Sequence, residues 1–222
     1  FVAPTNRWAF LAPLSAERTV VSGGWSATVT AIGDRVALLD MRADTVDVIT
    51  RDSSGTQLDS ITVDGRFDAV DNWKDYFFAD IGFTRNAIVE VDAATAEVDI
   101  TVNQNADAAL GNMAVGDNID IGTTERGLRL GIQDFSIKDR NDFGEETLVK
   151  RESSEQLEGD AIVTFSDDLV GLLAGLRARP VVWDFRNDTA LQEAVVFGFY
   201  RDFDLTRNAA FPTVSFDVRS LT

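Results

Sequence analysis

The sequence predicts a mainly β protein: two β-sandwich or barrel-like domains, with one short α-helix in the C-terminal one. Three observations carry this. Apolar and polar residues alternate with a period of two through most of the chain. Turn-forming Gly, Asn, Asp and Ser clusters separate the alternating runs. Only one stretch has helical spacing. At 222 residues the chain is long enough for one large β domain or two small ones.

At the N-terminus, "APTNRWAFLAP" reads as an arm over residues 1–15. Pro4 and Pro13 disfavour regular pairing, while Trp8, Phe10 and Leu11 require burial, expected on a neighbouring subunit. The start at Phe1 reads as a processed or incomplete terminus, with no signal peptide visible. A first domain over 16–102 is predicted from strands at 26–32, 35–41, 45–51, 59–64, 88–92 and 95–102. In the last, Ala96, Val98, Ile100 and Val102 face one way and Thr95, Glu97, Asp99 and Thr101 the other. "RDSSGTQ" reads as a hairpin turn.

The polar, small-residue stretch "NQNADAALGN", 103–112, is the expected boundary, which leaves a second domain over 103–222. Strands are expected there at 119–122, 130–138, 147–152 and 161–165, with "RNDFGEE" turning between the second and third. The helix is predicted over 167–178, where Leu169, Leu172, Leu173 and Leu176 fall at i, i+3, i+4 and i+7. Ser166 or Asp167 caps its start, Arg177 and Arg179 suit its end, and Pro180 prevents continuation. Of the last two strands, "VVFGFYRDFDL" places Val195, Phe197, Phe199, Phe203 and Leu205 on one face, with Arg201 the exception; "TVSFDVRSL" places Val214, Phe216 and Val218 on one.

Composition narrows the chemistry. The chain has no cysteine and no histidine. Disulfides, thiolates, Ser-His and Cys-His nucleophile pairs, and zinc sites built on His or Cys are therefore excluded. A metal site would be all-oxygen, suited to Ca²⁺ or Mg²⁺. Acids outnumber bases 37 to 20, for a net charge of −17, and the bases are scattered. Specific nucleic-acid binding is not expected, because it needs clustered Lys and Arg. No apolar run is long enough to span a bilayer.

The motifs that invite a functional test mostly fail it. "DRNDFGEETLVK" matches an EF-hand loop at Asp139, Asn141 and Gly144, yet Lys150 stands where a bidentate Glu is required. Acid pairs such as Asp202 with Asp204 are uninformative in so acidic a chain. No P-loop, G-x-S-x-G or G-x-G-x-x-G occurs. No catalytic residue, cofactor or metal is predicted. Trp8, Trp25, Trp73 and Trp183 suit core or interface positions, with sugar stacking as the competing use. Thr-Arg-Asn-Ala occurs twice, at 84–87 and 206–209, each time after an aromatic run and before an alternating one. It reads as a strand connection or a coincidence, in preference to a ligand contact.

The second half carries a resemblance. Its residues are Gly131-Ile132-x-Asp134-Phe135-Ser136, Asp142-Phe143-Gly144 and Arg151, then Pro180-Val181-Val182-Trp183, Phe197-Gly198-Phe199-Tyr200-Arg201-Asp202-Phe203 and Phe211-Pro212-Thr213. This pattern resembles a family of tail-tip or baseplate proteins of tailed phages with long non-contractile tails. It covers about residues 110–222 and extends weakly into "DYFFADIGFTRNAIVEVD". Arg219 and Ser220 depart from the acidic final strand of many relatives. The resemblance implies a non-enzymatic virion protein in a homo-oligomeric ring or bound to other tail proteins at the hub, tube or tape-measure end. The competing expectations are a module binding a host receptor or glycan, and a tail-tube subunit. The expected interface residues are Trp8 and Phe10 in the arm, Trp73, Trp183, Tyr200 and Arg207.

Overall fold

A computed structural model describes residues 8–11, 18–67, 82–104, 107–124, 127–140, 146–151, 153–163, 169–186, 194–207 and 212–220. The protein is mainly β. It divides into two compact units, the first ending at Ile119 and the second beginning at Asp120.

The first unit opens with a 3₁₀ turn at Ala9–Leu11. Its strands are β1 (Thr19–Ser22), β2 (Trp25–Thr30), β3 (Arg35–Leu39), β4 (Thr45–Arg51), β5 (Gln57–Asp64), β6 (Arg66–Phe67), β7 (Gly82–Phe83), β8 (Ala87–Glu90), β9 (Glu97–Asn103), β10 (Asp107–Leu110) and β11 (Asn112–Gly116). One sheet runs β2-β9-β4-β5 and another β11-β3-β8, with the two-stranded pairs β1-β10 and β6-β7 beside them. Alternation decides which faces meet. Val46 and Val48 of β4, Val98, Ile100 and Val102 of β9, and Val36 and Leu38 of β3 form one core. Fully burying each such side chain contributes about 1.5–3 kcal/mol.

The hairpin expected at "RDSSGTQ" joins β4 to β5. The Asp52 carboxylate accepts from Ser54 N at 2.8 Å, Ser54 Oγ at 2.6 Å and Thr56 N at 2.9 Å, and Gly55 supplies the positive φ of 85°.

Residues 107–116 differ from expectation. They are two strands of the first unit, β10 on β1 and β11 on β3, so the division falls later than the stretch 103–112. Their small residues have weak strand preference, and pairing overrides it: Ala108, Ala109 and Leu110 are all buried.

The second unit holds β12 (Gly122–Thr124), β13 (Arg129–Asp134), β14 (Ile137–Arg140), β15 (Glu146–Val149), β16 (Ser153–Val163), helix α1 (Leu169–Gly175), β17 (Val181–Asp184), β18 (Val195–Arg207) and β19 (Pro212–Ser220). Its main sheet runs β12-β16-β19-β18-β17, with β13 on the same edge of β16 as β12. Strand β16 is far longer than the expected 161–165, because its charged first half pairs with β13 on one side and β19 on the other.

The face carrying Leu157, Ala161, Val163, Val214, Phe216 and Val218 packs against Leu169 and Leu173 of α1. The Tyr200 hydroxyl donates to the Leu173 carbonyl at 2.7 Å and ties the sheet to the helix.

Strand β18 corrects the face assignment. Its register with β19 shifts between Tyr200 and Asp202, which makes Arg201 a β-bulge. A bulge reverses the side-chain parity. Val196 and Tyr200 before it share the core face with Phe203 and Leu205 after it, whereas Phe199 pairs outward with Arg219. Arg201 is the residue that breaks the alternation in the sequence.

Candidate functional site

The residues singled out from sequence separate on burial. Trp183 is 5% exposed and sits in the second core, where its indole N–H donates to the Gly198 carbonyl at 3.3 Å. Rings of Phe185, Phe216 and Tyr200 surround it at 6.4, 5.7 and 6.1 Å. Phe10 is fully buried in the first core against Trp25, their rings 5.1 Å apart. These two side chains are committed to their own cores and offer nothing to a neighbour. Residues 8–11 therefore pack on the first unit, where an arm reaching a neighbour was expected. Trp8, 56% exposed, stacks on Phe10 at 6.0 Å. Tyr200 is partly buried and held by α1. Arg207 is the last residue of β18, opposite Pro212. Trp73 lies outside the described residues.

The repeated tetrapeptide sits in two different settings. Thr84–Asn86 precede β8, and Asn86 accepts from the backbone N–H of Asp40 at 3.0 Å while Arg85 pairs with the Asp40 carboxylate at 3.3 Å. These contacts hold Asp40 at a φ of 53°. Thr206 and Arg207 instead lie within β18, and Asn208 and Ala209 fall outside the described residues. Among the described residues the two copies are not the same building block.

The surface signal that composition and motifs did not single out is a projecting hairpin. Strands β13 and β16 pair from Arg129 opposite Glu158 to Asp134 opposite Ser153. Beyond them β14 and β15 pair from Ile137 opposite Val149 to Arg140 opposite Glu146. Between the two ladders the chain has two residues on one side, 135–136, and three on the other, 150–152, so the outer ladder runs one residue out of step. The Asp134 carboxylate accepts from Ser136 N at 2.9 Å, and Ser136 Oγ accepts from Arg151 N at 3.0 Å. These bonds close the gap and join the two ladders into one hairpin.

All six residues of β13 are exposed. Leu130, Ile132, Phe135, Ile137, Leu148 and Val149 are exposed too, Ile132 at 73% and Leu148 at 67%. Clustered exposed apolar side chains mark contact sites. In the sequence these are "LGIQDFSIK" and "TLVK", whose pattern marks strands and leaves open what covers them.

The outer face of the main sheet is acidic. Arg129, Glu158, Asp217 and Asp202 lie directly opposite one another across β13, β16, β19 and β18. Asp160, Ser215 and Asp204 form the next row, with Ser215 Oγ donating to Asp160 at 2.5 Å. Like charges directly opposite repel. Arg201 and Arg219 offset this at Asp217, at 3.7 and 3.6 Å. A shallow cleft of about 390 Å³ lies over these rows. Among the described residues, no three carboxylates are placed to hold a metal ion.

Arg219 and Ser220, the departures from the resembling pattern, bond within this sheet. Arg219 donates to Gln133 at 3.3 Å, and the Ser220 hydroxyl accepts from Glu155 N at 2.8 Å.

A second concavity, of about 490 Å³, lies in the first unit between Trp8 and Trp25, with Thr19, Val21 and Ser26 on its walls. The Trp25 indole N–H is buried there without a hydrogen-bond partner.

No family model, curated protein or solved structure matches the chain. No described helix is long and apolar enough to cross a membrane.

Proposed function

We propose that this chain is a non-enzymatic structural subunit of a phage tail tip or baseplate, working by subunit contacts in a homo-oligomeric assembly within the virion. One observation carries the reading: several of the residues that resemble tail proteins, Asp134, Ser136, Trp183, Gly198 and Arg201, fall at the joints of the main sheet and of the hairpin beyond it. Asp134 and Ser136 join the two ladders of the hairpin. Trp183 fills the core and bonds to Gly198. At Gly198 any Cβ would lie 1.9 Å from the Arg219 carbonyl oxygen, so the strands approach this closely only with glycine there. Arg201 is the bulge that lets one strand serve two registers. A pattern made of such joints specifies a scaffold, and the scaffold presents a contact surface.

The test is location. Antibody against the chain should label one end of purified tailed particles, with a small fixed copy number per particle. Label along the whole tail would favour the tube-subunit reading, and its absence from particles would overturn both.

A second reading has its own support. The Trp8–Trp25 concavity is lined by two indoles, rings of the kind that stack on a pyranose. A host-surface glycan would then bind the first unit. Glycan-array binding lost in Trp8→Ala would support this reading, and an array with no binder would reject it.

A further inference from the structure

We propose that residues 8–11 and 18–22 form a strap that opens from the first unit as one piece, with the ion pair between Arg18 and Asp40 as its catch. The inference goes beyond the structural-subunit reading and does not depend on it.

The strap is one piece because its two segments are tied to each other. The Phe10 backbone N–H donates to Thr19 Oγ1 at 3.2 Å, and both residues are buried. It is separable because the rest of the unit is built without it. The sheets β2-β9-β4-β5 and β11-β3-β8 contain none of its residues. Among the described residues its one ladder, β1 on β10, is four residues long. Strand β10 has a second hold on the body, since Arg42 and Ala109 exchange backbone hydrogen bonds at 2.8 Å. Phe10 is the strap's one side chain in the first core cluster. A segment held by so short a ladder and so little apolar burial opens more easily than a core strand.

The strap also fits its seat loosely. A concavity of about 490 Å³ lies between Trp8, Thr19 and Val21 of the strap and Gly24–Ala27 of the body, whereas protein interiors are close-packed. The Trp25 indole N–H is buried there without a hydrogen-bond partner. Opening lets water reach that donor and removes a penalty of the closed state.

The catch is Asp40. Its carboxylate meets Arg18 of the strap at 2.5 Å and Arg85 of the body at 3.3 Å. Its φ of 53° is uncommon for a residue with a side chain. Gly111, between β10 and β11, leaves room for it: a Cβ there would lie 2.8 Å from the Asp40 Cβ. A costly conformation persists where its surroundings fix it, and here it holds one carboxylate between strap and body. Closed, the strap withholds Phe10 from any neighbour; open, it exposes Phe10 and its seat together.

Thiol labelling of the full chain with iodoacetamide tests this, because the chain has no cysteine of its own. Ala9→Cys places a buried thiol on the strap, and Ala43→Cys places one in the core of the body. Ala9→Cys should label about 10-fold faster or more. Adding Arg18→Ala should raise labelling of Ala9→Cys about 3-fold or more and leave Ala43→Cys unchanged. Equal rates at the two cysteines mean that the strap opens only with the whole unit, and overturn the proposal. An Arg18→Ala change without effect on Ala9→Cys overturns the catch. An unaltered thermal transition shows that each cysteine variant is folded. If one is altered, hydrogen exchange of the wild type makes the same comparison: the Phe10 amide should exchange about 10-fold faster or more than that of Val48 in the central strand β4, and equal exchange overturns the strap.

Discussion

Ala178 follows α1 with a φ of 57°, a left-handed conformation that an alanine adopts at a cost and a glycine adopts freely. Ala178→Gly is therefore expected to stabilise the second unit by about 0.5–1 kcal/mol, read from its urea midpoint. Tyr200→Phe should destabilise the same unit by about 1 kcal/mol, because the Leu173 carbonyl loses its donor. Asp52 gives a pH signature. The Ser54 hydroxyl, then the Thr56 and other backbone N–H groups, hold its carboxyl below the ordinary carboxylate range. A lowered folded-state pKa contributes stability that is present above the ordinary value and is lost as pH falls through the lowered one. The stability difference between wild type and Asp52→Asn should thus be constant near neutrality and change only at acid pH. A difference that varies between pH 6 and 8 would contradict this assignment. At this scale the sequence was read best where one residue type has one use: Ser-Ser-Gly as a turn, Pro180 as a helix stop. It was read least well for aromatics. Trp183 and Phe10 look alike in sequence whether they fill a core or an interface, and only the neighbours brought by the fold decide.

Among the elements, β18 is the most informative. Its bulge lets Val196, Tyr200, Phe203 and Leu205 face one core across an odd step. Deleting Arg201 should move Phe203 and Leu205 to the solvent face and abolish folding of the second unit. Arg201→Ala keeps the bulge and removes only an exposed ion pair with Asp217, so it should cost less than about 1 kcal/mol. Equal damage from both would contradict the bulge account; circular dichroism melts of the two variants settle it. Clean alternation made β9 and β19 legible, and leucine spacing made α1 legible, with a predicted end at 178 that runs past the helix's last residue, Gly175. The strands β10 and β11 were not, because Ala and Gly state no preference until a partner strand claims them. The charged half of β16 was hidden for a related reason: its partners in β13 and β19 are distant in sequence on either side. The projecting hairpin was seen as strands and a turn, but exposure depends on what covers a strand, and that is set by the whole unit.

The whole molecule combines two β units, an acidic outer sheet face and one hairpin with exposed apolar residues. A chain of net charge −17 resists casual association through self-repulsion. The central claim is that the chain works as a structural subunit at a tail end. The most direct measurement is immunogold electron microscopy of purified tailed particles with antibody against this chain, with copy number from quantitative mass spectrometry of the same particles. Gold at one end of the tail and a small fixed copy number is the predicted result; particles free of the chain would contradict it.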